Sequence, residues 1–179
     1  LTFAGPVTLG SDATISSVAN TFTLNNTINN GGFLLTLAGA NNMTLSNVIS
    51  GAGGLAKGGA GTLTLSGVSN TYAGATTVNA GTVTVAANSA LGSAVGGTSV
   101  ASGATLGFSG GITYMPYELV TISGTGNAGV GAINNSSGSN SFAGAITLAA
   151  DATINAGSTA LTLSGAVDNG GFLLSVAGA

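Results

Sequence analysis

Residues 61–67 read GTLTLSG and residues 81–85 read GTVTV. In both stretches threonine alternates with leucine or valine, so an extended chain places hydroxyl groups on one side and branched apolar groups on the other. This alternation is typical of a half-buried strand and does not suit a helix, whose apolar side chains recur every three to four residues. These stretches therefore predict an all-β chain.

The same alternation recurs along the rest of the chain, in residues 7–9, 22–24, 43–45, 146–148 and 161–163. Glycine and asparagine pairs separate these stretches, and both residue types turn the chain at little steric cost because they tolerate positive φ. The most alanine-rich run, residues 85–95, is interrupted by Asn88, Ser89 and Gly92. We therefore predict short strands joined by tight turns and no helices.

The spacing of the inward-facing residues selects one β architecture. These residues follow one another at a nearly constant interval: Leu24, Leu45, Leu65, Val85 and Leu106. The interval is about 20 residues, which is the length of one coil of a β-solenoid. We predict a parallel β-helix with about 20 residues per coil, in which each of these residues stacks on the next.

The sequence also repeats itself at a long period. Residues 3–40 align without gaps on residues 142–179 at an offset of 139, and 20 of the 38 pairs are identical. About seven coils would fill one period and advance the solenoid by about 33 Å at the usual strand spacing of about 4.8 Å. We interpret residues 1–179 as a single continuous solenoid segment and a fragment of a longer tandem array. A single internal duplication is the alternative.

Charge is almost absent from the chain. The charged residues are Lys57, Asp12, Glu118, Asp151 and Asp168, and histidine, cysteine and arginine do not occur. Thiol or imidazole catalysis, zinc fingers and arginine-based phosphate binding are thereby excluded, so we expect neither an enzyme nor a cofactor. One cation gives no basic surface for nucleic acid or an anionic membrane, and no apolar run is long enough to insert into a bilayer.

A more specific signal lies within residues 53–92. Residues 53–67 read GGLAKGGAGTLTLSG, residues 70–72 read NTY, and GTVTV follows at 81–85. In length and order this segment resembles the autotransporter-associated β-strand repeat, also called the passenger-associated transport repeat. The resemblance implies a right-handed parallel β-helix in a bacterial passenger or giant surface protein, secreted across the outer membrane and acting in adhesion or surface coating.

One segment differs in amino-acid composition from the rest of the chain. Residues 112–119 read ITYMPYEL and include a proline and the only glutamate of the chain. A loop that interrupts the coils is one interpretation. The other is an interaction surface formed by Tyr114, Met115, Tyr117 and Glu118, because tyrosine and methionine are enriched at interfaces.

The remaining charged residues suggest structural roles. Lys57 is expected either to lie in water at a glycine-rich corner or to pair with a carboxylate of a neighbouring coil. Asp12 and Asp151 are equivalent positions one period apart, and we expect both to cap a turn. Asp168 begins the sequence DNGG, for which we expect a turn; half of a cation site is the alternative. Residues 58–63 resemble a calcium-binding nonapeptide, but a threonine stands where the ligand aspartate is needed, so we predict no metal site.

Three classes of function fit these observations. We predict a structural segment of an extracellular filament, sheath or cell-surface fibre of a bacterium. Its partner would be itself, through head-to-tail or covalent tandem continuation, with lateral bundling between fibres. The alternative is the shaft of an adhesin or autotransporter passenger that binds a surface or host ligand. Ice binding by outward threonine rows is the third, but the irregular spacing after Leu106 does not suit the regular lattice that ice binding needs.

Overall fold

The computed structural model describes residues 1–67, 69–115 and 117–178. Val68, Pro116 and Ala179 lie outside these ranges. The chain winds into about eight stacked coils of about 22 residues, joined by parallel pairing. The prediction of a parallel β-helix is thereby confirmed. No α-helix occurs in the described ranges, which contain one 3₁₀ turn, Asn127–Gly129, and none of their helical segments is long and apolar enough to cross a bilayer.

Each coil passes three faces, and the strands are numbered in chain order. The first face carries β1 (Thr2–Phe3), β4 (Phe22–Leu24), β7 (Met43–Leu45), β10 (Thr62–Leu65), β12 (Gly81–Val85), β14 (Ala104–Ser109), β17 (Ile133–Ser137), the second half of β19 (Ile146–Asn155) and β22 (Leu174–Ala177). The second face carries β2 (Val7–Thr8), β5 (Ile28–Asn29), β8 (Ile49–Ser50), β15 (Thr113–Tyr114), β18 (Asn140–Phe142) and β20 (Leu161–Leu163). The third face carries β3 (Ala13–Ser17), β6 (Leu35–Gly39), β9 (Leu55–Lys57), β11 (Thr76–Val78), β13 (Thr98–Val100), β16 (Val120–Gly124), the first half of β19 and β21 (Val167–Asp168).

Alternation within each strand fills the interior of the solenoid. In β10, Leu63 and Leu65 are fully buried while Thr62 and Thr64 are half-buried, and β12 repeats the alternation. Parallel register then places like residues above one another, which builds an apolar core of stacked leucine, isoleucine and valine. On the outside of the first face a row of threonines lies in register: Thr2, Thr23, Thr44, Thr64 and Thr84.

The predicted stacking of inward residues is right for four of the five positions. Leu24, Leu45, Leu65 and Val85 lie in one column, but Val85 pairs with Phe108, and Leu106 pairs with Val83 in the neighbouring column. The step from Val85 to Phe108 is three positions longer than the step from Leu65 to Val85. The extra length lies mainly in the segment between β12 and β13, residues 86–97. The spacing of apolar residues in the sequence does not reveal it.

Coil length varies further along the chain. The step from Gly107 in β14 to Asn134 in β17 is longer still, and so is the step from Val120 in β16 to Ile146 in β19. These long coils include the 3₁₀ turn. As a result one period of the long repeat fills just over six coils, and the prediction of seven was wrong.

A column of glycines lets the coils approach closely at the corner between the second and third faces. An ideal Cβ placed on Gly74 would lie 2.6 Å from a backbone atom of Gly53, and one on Gly96 would lie 2.3 Å from the carbonyl oxygen of Gly74. The same contact recurs between Gly165 and Gly144. Gly144 in turn lies against the backbone of Glu118, so the glutamate takes the place of a glycine in this column.

Candidate functional site

The segment from Tyr114 to Leu119 divides between the inside and the outside of the solenoid. Tyr114 and Glu118 are fully buried, whereas Met115 and Tyr117 are 60% and 78% exposed. The proposed interaction surface is therefore reduced to its exposed members, because a fully buried side chain offers no surface to a partner. Leu119, which is 62% exposed, joins them.

The buried residues form a polar cluster inside the apolar core. Glu118 Oε1 accepts a hydrogen bond of 2.8 Å from Thr98 Oγ1, and Tyr114 Oη accepts one of 3.2 Å from the backbone N–H of Leu91. Nearby, the hydroxyls of Tyr72 and Thr76 share a hydrogen bond of 2.6 Å. Three successive coils thus contribute to one cluster, in which two tyrosines lie near a carboxyl group.

The carboxyl group of Glu118 is only partly satisfied. Among the described residues no donor reaches its buried Oε2 atom. Burial raises the pKa of Glu118 from its ordinary value of 4.5 to about 7, against the lowering effect of the Thr98 hydrogen bond. Burial also raises the pKa of both Tyr72 and Tyr114 well above the ordinary value, and the charge of Glu118 adds to this effect. Glu118 is therefore expected to be protonated in weakly acidic solution and to lose its proton around neutral pH, because its environment disfavours the anion.

Protonation of Glu118 makes the free energy of unfolding depend on pH. Since its folded pKa lies above its unfolded pKa, the stabilisation is fully present below about pH 4.5 and is lost as the pH rises through about 7. We expect the free energy of unfolding to fall by about 2 kcal/mol between pH 5 and pH 8. Glu118→Gln should abolish this fall and be the more stable protein at pH 8, as measured by urea unfolding.

Asp168→Asn is the matched control for this experiment. Asp168 is exposed, and its Oδ1 accepts a hydrogen bond from Gly170 N–H that an asparagine can also accept. This variant should keep the pH dependence of the wild type. A wild-type stability that is flat from pH 5 to pH 8 would contradict the burial of the Glu118 carboxyl group.

Of the exposed residues, Leu119 borders a shallow groove. It has a volume of about 260 Å³ and is lined by Ala75, Gly96, Gly97, Thr98, Ser99, Leu119 and Thr121. Leu119 forms one wall, and the glycines leave space because they carry no side chain. The groove has no charged lining residue, so its chemistry suits a small apolar or hydroxyl-bearing group.

Lys57 lies inside the solenoid, and both sequence-based expectations for it were wrong. Its side chain is only 3% exposed, and its strand register places it between Leu37 and Val78. The ammonium group donates to three backbone carbonyl oxygens, those of Gly58 at 2.9 Å, Gly59 at 2.7 Å and Ala80 at 3.1 Å. Burial lowers the pKa of Lys57 to about 8. The ammonium group thus ties the glycine-rich corner of one coil to the next.

Replacing Lys57 with methionine is expected to lower the free energy of unfolding at pH 7 by about 2 kcal/mol. Methionine has a similar length but no donor, so three carbonyls lose a charge-assisted hydrogen bond. That loss outweighs the relief from burying a charge, since each hydrogen bond to a charged group contributes about 1.5–3 kcal/mol. Chemical unfolding of both proteins measures the difference. A methionine variant as stable as the wild type would show that the ammonium contacts contribute nothing net.

The aspartate side chains accept hydrogen bonds from backbone N–H groups, and those of Asp12 and Asp151 join adjacent coils where a capped local turn was predicted. Asp12 Oδ1 accepts a 2.9 Å hydrogen bond from Leu34 N–H in the next coil, and its equivalent Asp151 accepts the same bond, also 2.9 Å, from Leu173 N–H. Asp168 closes a turn by accepting from Gly170 N–H. Among the described residues no three acidic side chains come together in a way that could hold a metal ion.

The sequence did not predict the buried polar cluster around Glu118, nor the three backbone carbonyls that bind the Lys57 ammonium group. Tyr72 lies in the NTY motif that carried the family resemblance, and this motif was the available signal for a structural role. No such signal existed for Glu118, because the alternation around it is broken at Pro116, which leaves its inward direction undetermined. The burial of Lys57 follows from its position in an apolar column, which becomes apparent only when the register is known.

The fold and its sites define a β-solenoid with an apolar core and a nearly uncharged surface. Residues 55–85 match the family model of the passenger-associated-transport-repeat. The matched segment holds β9, β10, β11 and β12, including Lys57 and Tyr72. No curated protein and no solved structure shows a significant match to the chain.

Proposed function

We propose that this chain is a shaft segment of a secreted or cell-surface bacterial fibre, in which the long repeat continues as a covalent tandem array. The match of residues 55–85 to the passenger-associated-transport-repeat supports a place outside the cell, because that repeat is typical of autotransporter passengers. The role is mechanical: the shaft provides length and resists unfolding.

One observation carries this proposal: the two copies of the repeated segment differ in burial according to whether a neighbouring coil covers them. Phe3, at one edge of the solenoid, is 47% exposed, whereas its equivalent Phe142, in the interior, is fully buried. At the other edge Val176 is 74% exposed, whereas its equivalent Leu37 is fully buried. Each edge therefore has the composition of a surface that another coil covers, and the repeat itself supplies such a coil.

The scarcity of charge fits the same role. Coils stack at about 4.8 Å, so a charge repeated in every coil would face a like charge at that distance. Threonine and asparagine avoid this cost while remaining compatible with water. Asparagine side chains at the corners also bond to the backbone of the adjacent coil, as Asn26 Nδ2 does to Ala4 O and Asn70 Nδ2 to Ala90 O.

Tandem chains of one, two and four repeats would test the proposal directly. Electron microscopy should show straight rods whose length grows by about 30 Å per repeat, because each repeat adds just over six coils at about 4.8 Å. Thermal stability should rise with repeat number, since each added repeat buries two edges. Compact particles whose diameter grows with the cube root of length would contradict the shaft.

The alternative function is the shaft of an adhesin, and the exposed residues Met115, Tyr117 and Leu119 favour it. Leu119 lines the groove, and Met115 and Tyr117 are exposed in the same segment of the chain. Met115→Ser combined with Tyr117→Ser would leave the core intact. Under the adhesin hypothesis this double variant loses binding to surfaces that the wild-type chain coats. Under the purely structural hypothesis its binding is unchanged.

Ice binding receives less support. The threonine row on the first face ends at Thr84, whose next register partner is Gly107, followed by Asn134. Beside this row Thr62 stacks on Thr82, but their next partner Thr105 is fully buried. The threonines therefore do not form the wide, regular array that ordering of ice-like water needs. We expect no thermal hysteresis from the chain.

A further inference from the structure

The two copies of the repeated segment lie on different faces of the solenoid. Phe3 lies on the first face, paired with Leu24, whereas its equivalent Phe142 lies on the second face, paired with Tyr114 and Leu163. The same displacement by one face holds for the two other parts of the segment. Val7 on the second face corresponds to Ile146 on the third, and Ala13 on the third corresponds to Ala152 on the first.

Counting coils gives the size of the displacement. From Thr2 the first face leads through six register steps to Asn134, which lies seven positions short of a full period. Those seven positions carry the chain to Ser141 on the second face. On the third face six steps lead from Ala13 to Ile146, and the six positions that complete the period reach Ala152 on the first face. The period is therefore six coils and one third.

Local structure is retained although the face changes. The hydrogen bond from Leu34 N–H to Asp12 Oδ1 recurs from Leu173 N–H to Asp151 Oδ1 with the same length of 2.9 Å. The backbone turn that joins Phe33 N–H to Asn30 O recurs between Phe172 N–H and Asn169 O, each at 2.8 Å. The repeat thus folds in the same way on whichever face it begins.

We infer that an array of this repeat rotates by one third of a turn per repeat, in the direction in which the chain winds. The inference rests on the tandem array proposed above. Three repeats, which hold nineteen coils, return equivalent residues to the same face after about 91 Å, with a rise of about 30 Å per repeat. The array is a threefold screw, whereas a period of whole coils would give a shaft with one distinctive side.

This rotation decides how the shaft presents its exposed apolar residues. Met115, Tyr117 and Leu119 occur once per repeat, so they recur on the three sides of the array in turn. A lateral contact made through them is available in three directions, each one third of a turn from the next. The array therefore suits bundling with several neighbours or coating from all sides and does not suit attachment along one side.

A pair of engineered disulfides tests the rotation in this chain, which contains no cysteine. Thr121 and Thr147 are exposed register partners on the third face. Stacked strands lie about 4.8 Å apart, within the range of Cα separations that a disulfide bridges. The variant T121C/T147C should therefore oxidise to an intramolecular disulfide, as measured by free-thiol titration and by mass spectrometry of non-reduced peptides.

The control variant is T113C/T147C. Thr113 is also exposed but lies on the second face, in register with Ser141. If the repeats were in phase, Thr147 would lie on the same face as its equivalent Thr8, which is the second, and this variant would be the one to oxidise. Free thiols in T121C/T147C, or a disulfide in T113C/T147C, would overturn the assigned rotation.

Helical reconstruction of a tandem chain of four repeats tests the array itself. The expected symmetry is a rotation of one third of a turn with a rise of about 30 Å per repeat. A rotation near zero would overturn the inference. If the tandem chain formed no rod at all while T121C/T147C oxidised as expected, the proposed shaft would fail and the rotation within the chain would stand.

Discussion

Gly53→Ala is expected to destabilise the chain by about 3 kcal/mol or more. An ideal Cβ at this position would lie 1.8 Å from the carbonyl oxygen of Phe33 in the adjacent coil. The obstacle is backbone, which cannot rotate away as a flexible side chain can. The two coils would have to separate at this corner, and separation would break hydrogen bonds between them. Urea unfolding monitored by circular dichroism measures the loss.

Gly32→Ala is the matched control. No atom lies within 4 Å of an ideal Cβ on Gly32, and this glycine is exposed. This variant should change the free energy of unfolding by no more than about 0.5 kcal/mol. Equal stability of the two alanine variants would mean that the coils are not packed as closely at the corner as the structure shows.

Phe142→Ala is expected to cost about 3–5 kcal/mol, because it removes a fully buried ring from the core. The ring of Phe142 contacts two other aromatic rings, with centroid distances of 5.4 Å to Phe108 and 5.5 Å to Tyr114. Its truncation leaves a cavity between the first and second faces that neighbouring coils cannot close without losing register.

The repeat supplies the control for this prediction. Phe3 is the equivalent residue of the first copy and is 47% exposed. Phe3→Ala should cost only about 1 kcal/mol, since much less apolar area returns to water. Thermal unfolding of the two variants separates them, and equal losses would contradict the assignment of Phe142 to the interior.

Much of the fold could be predicted because the burial of each side chain in a solenoid strand follows the local alternation of apolar and polar residues. The alternation in residues 61–67 and 81–85 determines which side chains point inward, and burial in β10 and β12 follows it. Register could be predicted only where coil length is constant. The turn between β12 and β13 is longer than the preceding ones, so Val85 meets Phe108 and not Leu106. Turn length follows from tertiary packing at the corner and has no period in the sequence.

The candidate site was less predictable because its residues follow no period. Composition drew attention to Tyr114 and Glu118, but composition does not give direction, and both lie in the core. For Lys57 the residue type itself suggested the wrong environment. A lone lysine among glycines suggests a solvated side chain, yet the carbonyls of Gly58 and Gly59 turn inward and bind its ammonium group. Such a cage depends on backbone geometry, which residue type alone does not specify.

The stacking of coils of about 22 residues in parallel register defines this fold. Nuclear Overhauser contacts between backbone protons of the isotope-labelled chain test it most directly. The structure predicts contacts that join each coil to the next, from Thr44 to Thr64, from Thr64 to Thr84 and from Ala13 to Leu35. A contact map dominated by pairs closing on tight hairpins, as in an antiparallel sandwich, would contradict it.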